Sequence, residues 1–275
     1  MRKRGIMAAV QQVVRLAAVG DIHCGKQSQG ALQPLFAQMQ EQADVAALCG
    51  DLTDYGLPDE AQILVREMSV LRIPVVAVLG NHDYESGKQE EIALILRDAG
   101  ADVLDGGACE VRGVGFAGTK GFGGGFGSRT LGLWGEDATK VFVREALNEA
   151  LKLETALARL RTPHRIALLH YAPIKETVEG EPPEIYPFLG TSRLEEPLTL
   201  HPVTAVFHGH AHKGSPEGRT AHDTPVYNVS LPLLRATFPN RPPFHIMEIT
   251  IDPGQDNAEE NAGTAPRVLK PRPRA

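Results

Sequence analysis

The sequence predicts an α/β protein whose sheet is parallel at first and antiparallel later. Two features carry that expectation. Apolar runs of strand length alternate with amphipathic stretches through the first hundred or so residues, the order that joins parallel strands by right-handed crossovers. From residue 101 to 118, short segments are broken by Asp-Gly and Arg-Gly turns, which suit antiparallel pairs. A third feature gives the fold a working edge, because apolar runs repeatedly stop at a tight turn and a polar residue.

The elements follow in order. Residues 13–19 form the first run, ending Gly20-Asp21-Ile22-His23, and Leu32, Leu35, Phe36 and Met39 then recur at helical spacing. The second run, ending Ala46-Ala47-Leu48-Cys49-Gly50-Asp51-Leu52-Thr53-Asp54, puts Asp51 at the carboxyl edge of a sheet, where open α/β folds bind ligands. Pro58 suits a first helical position, with Ile63, Leu64, Met68 and Leu71 behind it. Residues 74–79 are the third run, ending Gly80-Asn81-His82-Asp83, and Ile92, Leu94, Ile95 and Leu96 mark a third helix.

Residues 119–135 form a glycine-rich loop, and residues 137–160 a long amphipathic helix. The run at 165–169 ends in His170, and the one at 203–207 ends His208-Gly209-His210-Ala211-His212. Between them, 175–190 reads as an exposed loop rich in Pro, Glu and Gly, and 191–200 as a short helix. Residues 218–250 return to short strands with turns. Residues 1–12 read as a disordered leader, with Met7 a candidate start, and 253–275 as a disordered tail, leaving one domain over 13–252.

Composition narrows the function. A chain of 275 residues buries a full core, and 42% hydrophobic with 23% charged residues is the balance of a soluble globular protein. The net charge of −6 favours neither nucleic acid nor an anionic membrane as partner. No run approaches the ~18–20 apolar residues of a membrane span. Cys24, Cys49 and Cys109 are an odd set with no close pair, which fits a reducing cytoplasm.

The strand-end residues Asp21, His23, Asp51, Asn81, His170, His210 and His212 all offer oxygen or nitrogen and no thiolate. That set suits Mn, Fe or Zn. It is too large for one tetrahedral ion, whereas two ions sharing a carboxylate use all of it. Two metals ~3.5–4 Å apart carry out in-line phosphoester hydrolysis.

The blocks Gly20-Asp21-Ile22-His23, Gly50-Asp51-x-x-Asp54, Gly80-Asn81-His82-Asp83, the lone His170 and Gly209-His210-Ala211-His212, in this order, resemble the five signature blocks of the calcineurin-like metallophosphoesterase superfamily. The resemblance covers roughly residues 13–235. It implies a two-sheet αββα sandwich with mixed parallel and antiparallel strands. It also implies that Asp21, His23 and His212 hold one metal, that Asn81, His170 and His210 hold the other, and that Asp51 bridges them. A bridging hydroxide is then the nucleophile. By the same resemblance His82 is not a ligand but, as imidazolium, stabilises developing charge and protonates the leaving oxygen. Asp54 orients His82 and favours its charged form, with Asp83 a lesser orienter.

Other residues have plainer readings. His208 is a strand-end residue or a donor behind the ligands, Cys24 a small buried neighbour, and His201, His222 and His245 ordinary histidines. The loop at 119–129 either presents backbone N–H groups, with Lys120 or Arg129, to a phosphate, or is a mobile hairpin over the mouth. Phe122, Phe126 and Trp134 are candidates to cover the pocket, and Tyr84 and Tyr171 to wall it.

The expected substrate is a small phosphoester. A diester is favoured because no large cap is recognisable, and a phosphomonoester is the alternative. The second block lacks the arginine that protein phosphatases of the superfamily carry, and the negative charge disfavours a nuclease. The competitor from another class is a non-catalytic scaffold of the same fold, against which every ligand position is filled.

Overall fold

Successive strand residues point to opposite faces, and in this chain both faces are apolar. The computed structural model describes residues 12–251. The expected tail and all of the leader but Gln12 lie outside the described residues. The chain runs β1 (Gln12–Val19), α1 (Gln33–Gln42), β2 (Val45–Cys49), α2 (Pro58–Met68), β3 (Val75–Val78), α3 (Gln89–Asp98), β4 (Ala101–Val103), β5 (Gly107–Val111) and β6 (Val114–Gly118). It continues α4 (Asp137–Arg159), β7 (His164–Leu168), α5 (Tyr186–Leu189), α6 (Glu195–Leu200), β8 (Ala205–His208), β9 (Glu217–Arg219), β10 (Pro225–Asn228), α7 (Leu231–Thr237) and β11 (His245–Ile251).

One sheet has the order β11-β1-β2-β3-β4, the other β5-β6-β7-β8-β10-β9. Ala17, Val19, Ala46 and Leu48 turn outward from the first sheet onto Phe36, Leu64 and Ile92 of α1, α2 and α3. Their neighbours Leu16, Ala18, Ala47 and Cys49 turn inward and meet Phe116, Ile166, Leu168 and Phe207 of the second sheet. The far face of that sheet, with Ala117, Ala167 and Val206, packs on Leu153, Leu157 and Leu198 of α4 and α6. The layers are therefore helix, sheet, sheet, helix, as expected.

Three expectations are corrected. β4 runs parallel to β3, with Ala77 opposite Val103, and so belongs to the first sheet. β6, β7, β8 and β10 are likewise parallel neighbours. Among the described residues the antiparallel pairs are β5–β6 across the Arg112-Gly113 turn, β9–β10, and β1–β11. α7 stands where only short strands were expected, entered by a proline that its first turn tolerates. The 175–190 stretch is not simply exposed, since Thr177, Val178 and Leu189 are buried.

This topology gathers the exits of five parallel strands on one edge. Main-chain bonds stitch the exits together. Asp21 N donates to Gly50 O at 2.9 Å, His23 N to Asp51 O at 2.9 Å, and Gly209 N to His170 O at 3.1 Å. Gly20 N donates to Val229 O at 2.9 Å, which joins the first sheet to the second. Among the described residues no helix is long and apolar enough to cross a membrane.

Helix α1 has no side-chain cap of its own. Glu67, buried on α2, supplies one, accepting from Gly30 N at 2.6 Å, Leu32 N at 2.9 Å and Gln33 N at 3.1 Å. Helix N-termini leave such donors orphaned, and a carboxylate satisfies them well. Glu67→Ala is expected to destabilise the fold by about 1–3 kcal/mol, measured by urea unfolding. A midpoint unchanged from wild type would show that the cap contributes nothing.

Candidate metal centre

Four strand-exit residues adopt left-handed backbone: Asp21 (φ 56°), His23 (φ 46°), Asp51 (φ 48°) and His210 (φ 71°). Non-glycine residues avoid this region, and where they occupy it the strain usually serves a site. Here it turns each side chain back over the sheet edge.

The glycines of the blocks make room for one another's polar side chains. A Cβ at Gly50 would fall on the His170 ring, one at Gly80 on Asp51, and one at Gly209 on the Asp21 carboxylate. Each glycine is thus set by a residue from a different strand, and Gly50 also needs its positive φ of 81°.

Three groups of possible donors result, two of them trios of the expected ligands and the third made of His23, Asp54 and His82. Potential ligand atoms of Asp21, His23 and His212 lie within 4.8 Å of one another, and so do those of Asp51, His170 and His210. His212 Nε2 is 2.9 Å from Asp21 Oδ1, and His210 N donates to the same carboxylate at 2.9 Å. Asp51, a member of the second trio, also faces the first. Its Oδ1 is 3.3 Å from His170 Nε2, and its Oδ2 is 3.8 Å from His23 Nε2. Asn81 joins the second trio through Oδ1, 2.9 Å from His170 Nε2.

Outer contacts fix which ring nitrogens are free. His170 Nδ1 donates to Cys49 O at 3.0 Å, leaving Nε2 toward Asp51. His210 Nε2 donates to Phe188 O at 3.0 Å, leaving the Nδ1 lone pair. Such orientation by a carbonyl is what metal-binding histidines need. His23 Nε2 is buried with no hydrogen-bond partner. A buried polar atom left without a partner is costly, and a cation would satisfy it. The donors fit a borderline or hard divalent metal.

His82 and Asp54 sit beside the first trio. The His82 ring packs edge-on against His23 at 4.6 Å between centroids, and its Nε2 is 4.0 Å from Asp51 Oδ2. Its orienter differs from expectation. His82 Nδ1 donates to the main-chain oxygen of Asp54 at 2.7 Å, while the Asp54 carboxylate faces His23 Nδ1 at 3.7 Å. The carboxylate nearest His82 Nδ1 in the structure belongs to Glu85, at 3.6 Å.

The Asp83 carboxylate makes its hydrogen bonds away from the His82 ring. Fully buried, it accepts from Gly80 N at 2.8 Å, Leu52 N at 3.1 Å, Thr53 N at 2.8 Å and Thr53 Oγ1 at 2.6 Å. It clamps the turn after β3 to the turn after β2. His208 is buried outside both trios, with Nδ1 donating to Gly209 O and Nε2 accepting from Thr177 Oγ1, each at 2.8 Å.

Asn228 carries no motif and was not singled out by its sequence. Its amide donates to Ala211 O at 2.8 Å and Thr177 O at 3.2 Å, holding the loop between His210 and His212. Cys24 is buried and raised to about 12 by desolvation, in keeping with a packing role.

Burial works against charge throughout the site, and the partners offset it. Desolvation alone would raise the Asp21 and Asp51 carboxyls, but His212 and His170 respectively lead the interactions that bring them below the ordinary range. Burial alone would lower His170, but the Asp51 carboxylate lifts it to about 9. His212 is raised by its bond to Asp21. Burial, with the neighbouring His170, drops His210 to about 4, and burial drops His208 to about 4.

The model of the family described as calcineurin-like phosphoesterase matches residues 14–214. The chain belongs to the calcineurin-like phosphoesterase family. No curated protein matches the chain significantly. Among solved structures it is similar to the phosphopantetheinyl hydrolase PptH from Mycobacterium tuberculosis, with a TM-score of 0.63 and 13% identity over 86% of this chain and 96% of that one. It is also similar to GAP50, the anchor in the inner membrane complex of Plasmodium, with a TM-score of 0.50 and 16% identity over 80% and 72% of the two chains. At these identities the likeness is one of fold.

The titration of the histidines gives a prediction for this family member. A metal needs neutral imidazole, and metal-free His170 keeps its proton up to a pH of about 9. Loading with Mn²⁺ or Zn²⁺ at pH 7 is therefore expected to release about one proton or more per chain, and affinity is expected to rise with pH toward that value. Calorimetry in buffers of different ionisation heat counts the protons. Uptake with no release would contradict the protonated His170.

Proposed function

We propose that this chain is a binuclear metallophosphoesterase with a preference for phosphodiesters. The observation that supports it best is the position of Asp51, with one oxygen toward each trio of donors. Asp21, His23 and His212 would hold one ion and Asn81, His170 and His210 the other, with Asp51 between them. A metal pair held there supplies positive charge for the phosphoryl oxygens and an activated water near neutral pH.

The chain's own residues do the rest. Asp21 and Asp51 bring buried negative charge that retains cations. The carbonyls of Cys49 and Phe188 hold the His170 and His210 rings in place. His82 stands at the mouth with its side chain 37% exposed, its Nδ1–H occupied by the Asp54 carbonyl and its Nε2 open. As imidazolium, with its second proton on Nε2, it would donate to the departing alkoxide and stabilise charge as it develops. The diester preference rests on the lack of a separate cap over this edge among the described residues; the space beside Asn81 would seat the organic arm of an ester of either class. The name of the mycobacterial relative, a phosphopantetheinyl hydrolase, is in keeping with an ester substrate.

A scaffold of this fold is the competing reading, and GAP50 is named an anchor. A scaffold has no use for strained backbone that turns ligands toward a common point. The unpaired cysteines Cys24, Cys49 and Cys109 fit the proposed reducing, cytoplasmic setting.

His82→Ala is expected to keep both metals and to lose turnover of a nitrophenyl phosphodiester by roughly 10²–10⁴-fold. Metal analysis and initial rates on one preparation test this, and an unchanged rate removes His82 from the chemistry. A panel of mono- and diesters, run with Mn²⁺, Zn²⁺ and Mg²⁺ in turn, tests the diester preference. A monoester hydrolysed faster than every diester would overturn it.

A further inference from the structure

A pocket of about 530 Å³ opens beside the metal centre and shares Asn81 with it. Its wall is largely aromatic, made by Tyr84, Phe122, Phe142 and Tyr171. The wall is continuous with the site. The Tyr171 ring centroid lies 4.4 Å from that of His210, Phe122 is 5.8 Å from Tyr171, and Phe142 is 4.9 Å from Phe122.

Lys120 also lines this pocket, and the metal chemistry gives it no task. It is only 7% exposed. Its ammonium lies 4.8, 5.2 and 5.3 Å from the ring centroids of Phe122, Tyr171 and Tyr84. Nζ donates one hydrogen bond within the protein, to Gly121 O at 2.8 Å. An ammonium carries three donors, so two have no partner among the described residues, in a side chain that lines this pocket and a second one beside Asp105 and Lys152. Burial also holds Lys120 below its ordinary value, against the pull of Glu149 and Glu145.

The phosphoryl group belongs with the metals, so what enters this pocket is the organic part of the ester. Aromatic faces favour a flat apolar group. A second cation would meet the charge of Lys120 on the same faces, and an anionic group would meet Glu145, which also lines the pocket. A neutral acceptor oxygen or nitrogen suits the spare donors.

We propose that this pocket seats the organic arm of the substrate and that Lys120 reads a hydrogen-bond acceptor on it. The substrate class is then a phosphoester with a flat, apolar arm bearing a neutral acceptor. This rests on the metallophosphoesterase reading and specifies which ester that site takes.

Non-hydrolysable probes separate the two ideas. Methylphosphonate, phenylphosphonate and 4-nitrophenylphosphonate are titrated by calorimetry into metal-loaded wild type, Lys120→Met and Phe142→Ala. Wild type is expected to prefer phenyl over methyl, and nitrophenyl over phenyl, by roughly tenfold at each step. Lys120→Met is expected to abolish the second preference and keep the first. Phe142→Ala is expected to weaken the first. Lys120→Met exchanges a buried charge, which has no ion-pair partner among the described residues, for an apolar chain of similar length, and thermal melting verifies the fold. The same preferences in both variants as in wild type, or none in wild type, overturn the proposal. If wild type shows this order but hydrolyses none of the corresponding esters, the pocket is supported and the hydrolase reading is lost.

Discussion

Two carboxylates, those of Asp21 and Asp51, are buried at neighbouring strand exits, each about as hidden as a core leucine. Each raises the cost of ionising the other, and burial adds to it. Nothing apolar resolves that conflict. Positive charge does, whether from protonated His170 or from cations held by the same donors. The rest of the edge follows from this need. The left-handed turns aim the carboxylates inward, the histidines face them, and Gly50, Gly80 and Gly209 are small because a polar group from another strand occupies the space beside them.

What could be read from the sequence was what is local in the chain. Strand, turn and ligand sit within a few residues of one another in every block, and the order of the blocks carried the fold with them. Residues whose meaning comes from a distant partner could not be read this way. Glu67 looks like any helical acid until its carboxylate is found on the start of α1. Asp83 follows His82 in the chain yet serves Leu52 and Thr53 on another turn. Asn228 is an unremarkable strand-end amide until its bond to Ala211 appears.

The misread elements have the same origin. β4 has three residues, and its Ala-Asp-Val alternation carries no direction, so pairing with β3 decides it. In α7 the run Leu231-Pro232-Leu233-Leu234 is as apolar as a strand, and the proline at its start was the signal of a helix. Around His82, the resemblance implies that the Asp54 carboxylate orients the ring. The main chain of Asp54 meets His82, and its carboxylate faces His23. Side-chain identity is written in the sequence, whereas the group a turn presents is set by its backbone geometry.

The proposed function requires Asp51 to stand between two cations. Crystals of the protein soaked in Mn²⁺ and measured near the manganese edge would locate them directly. The prediction is two anomalous peaks about 3.5–4 Å apart, one facing each oxygen of Asp51. One among Asp21, His23 and His212 would mark the first ion, and one among Asn81, His170 and His210 the second. A single peak, or a pair that leaves Asp51 to one side, would contradict it.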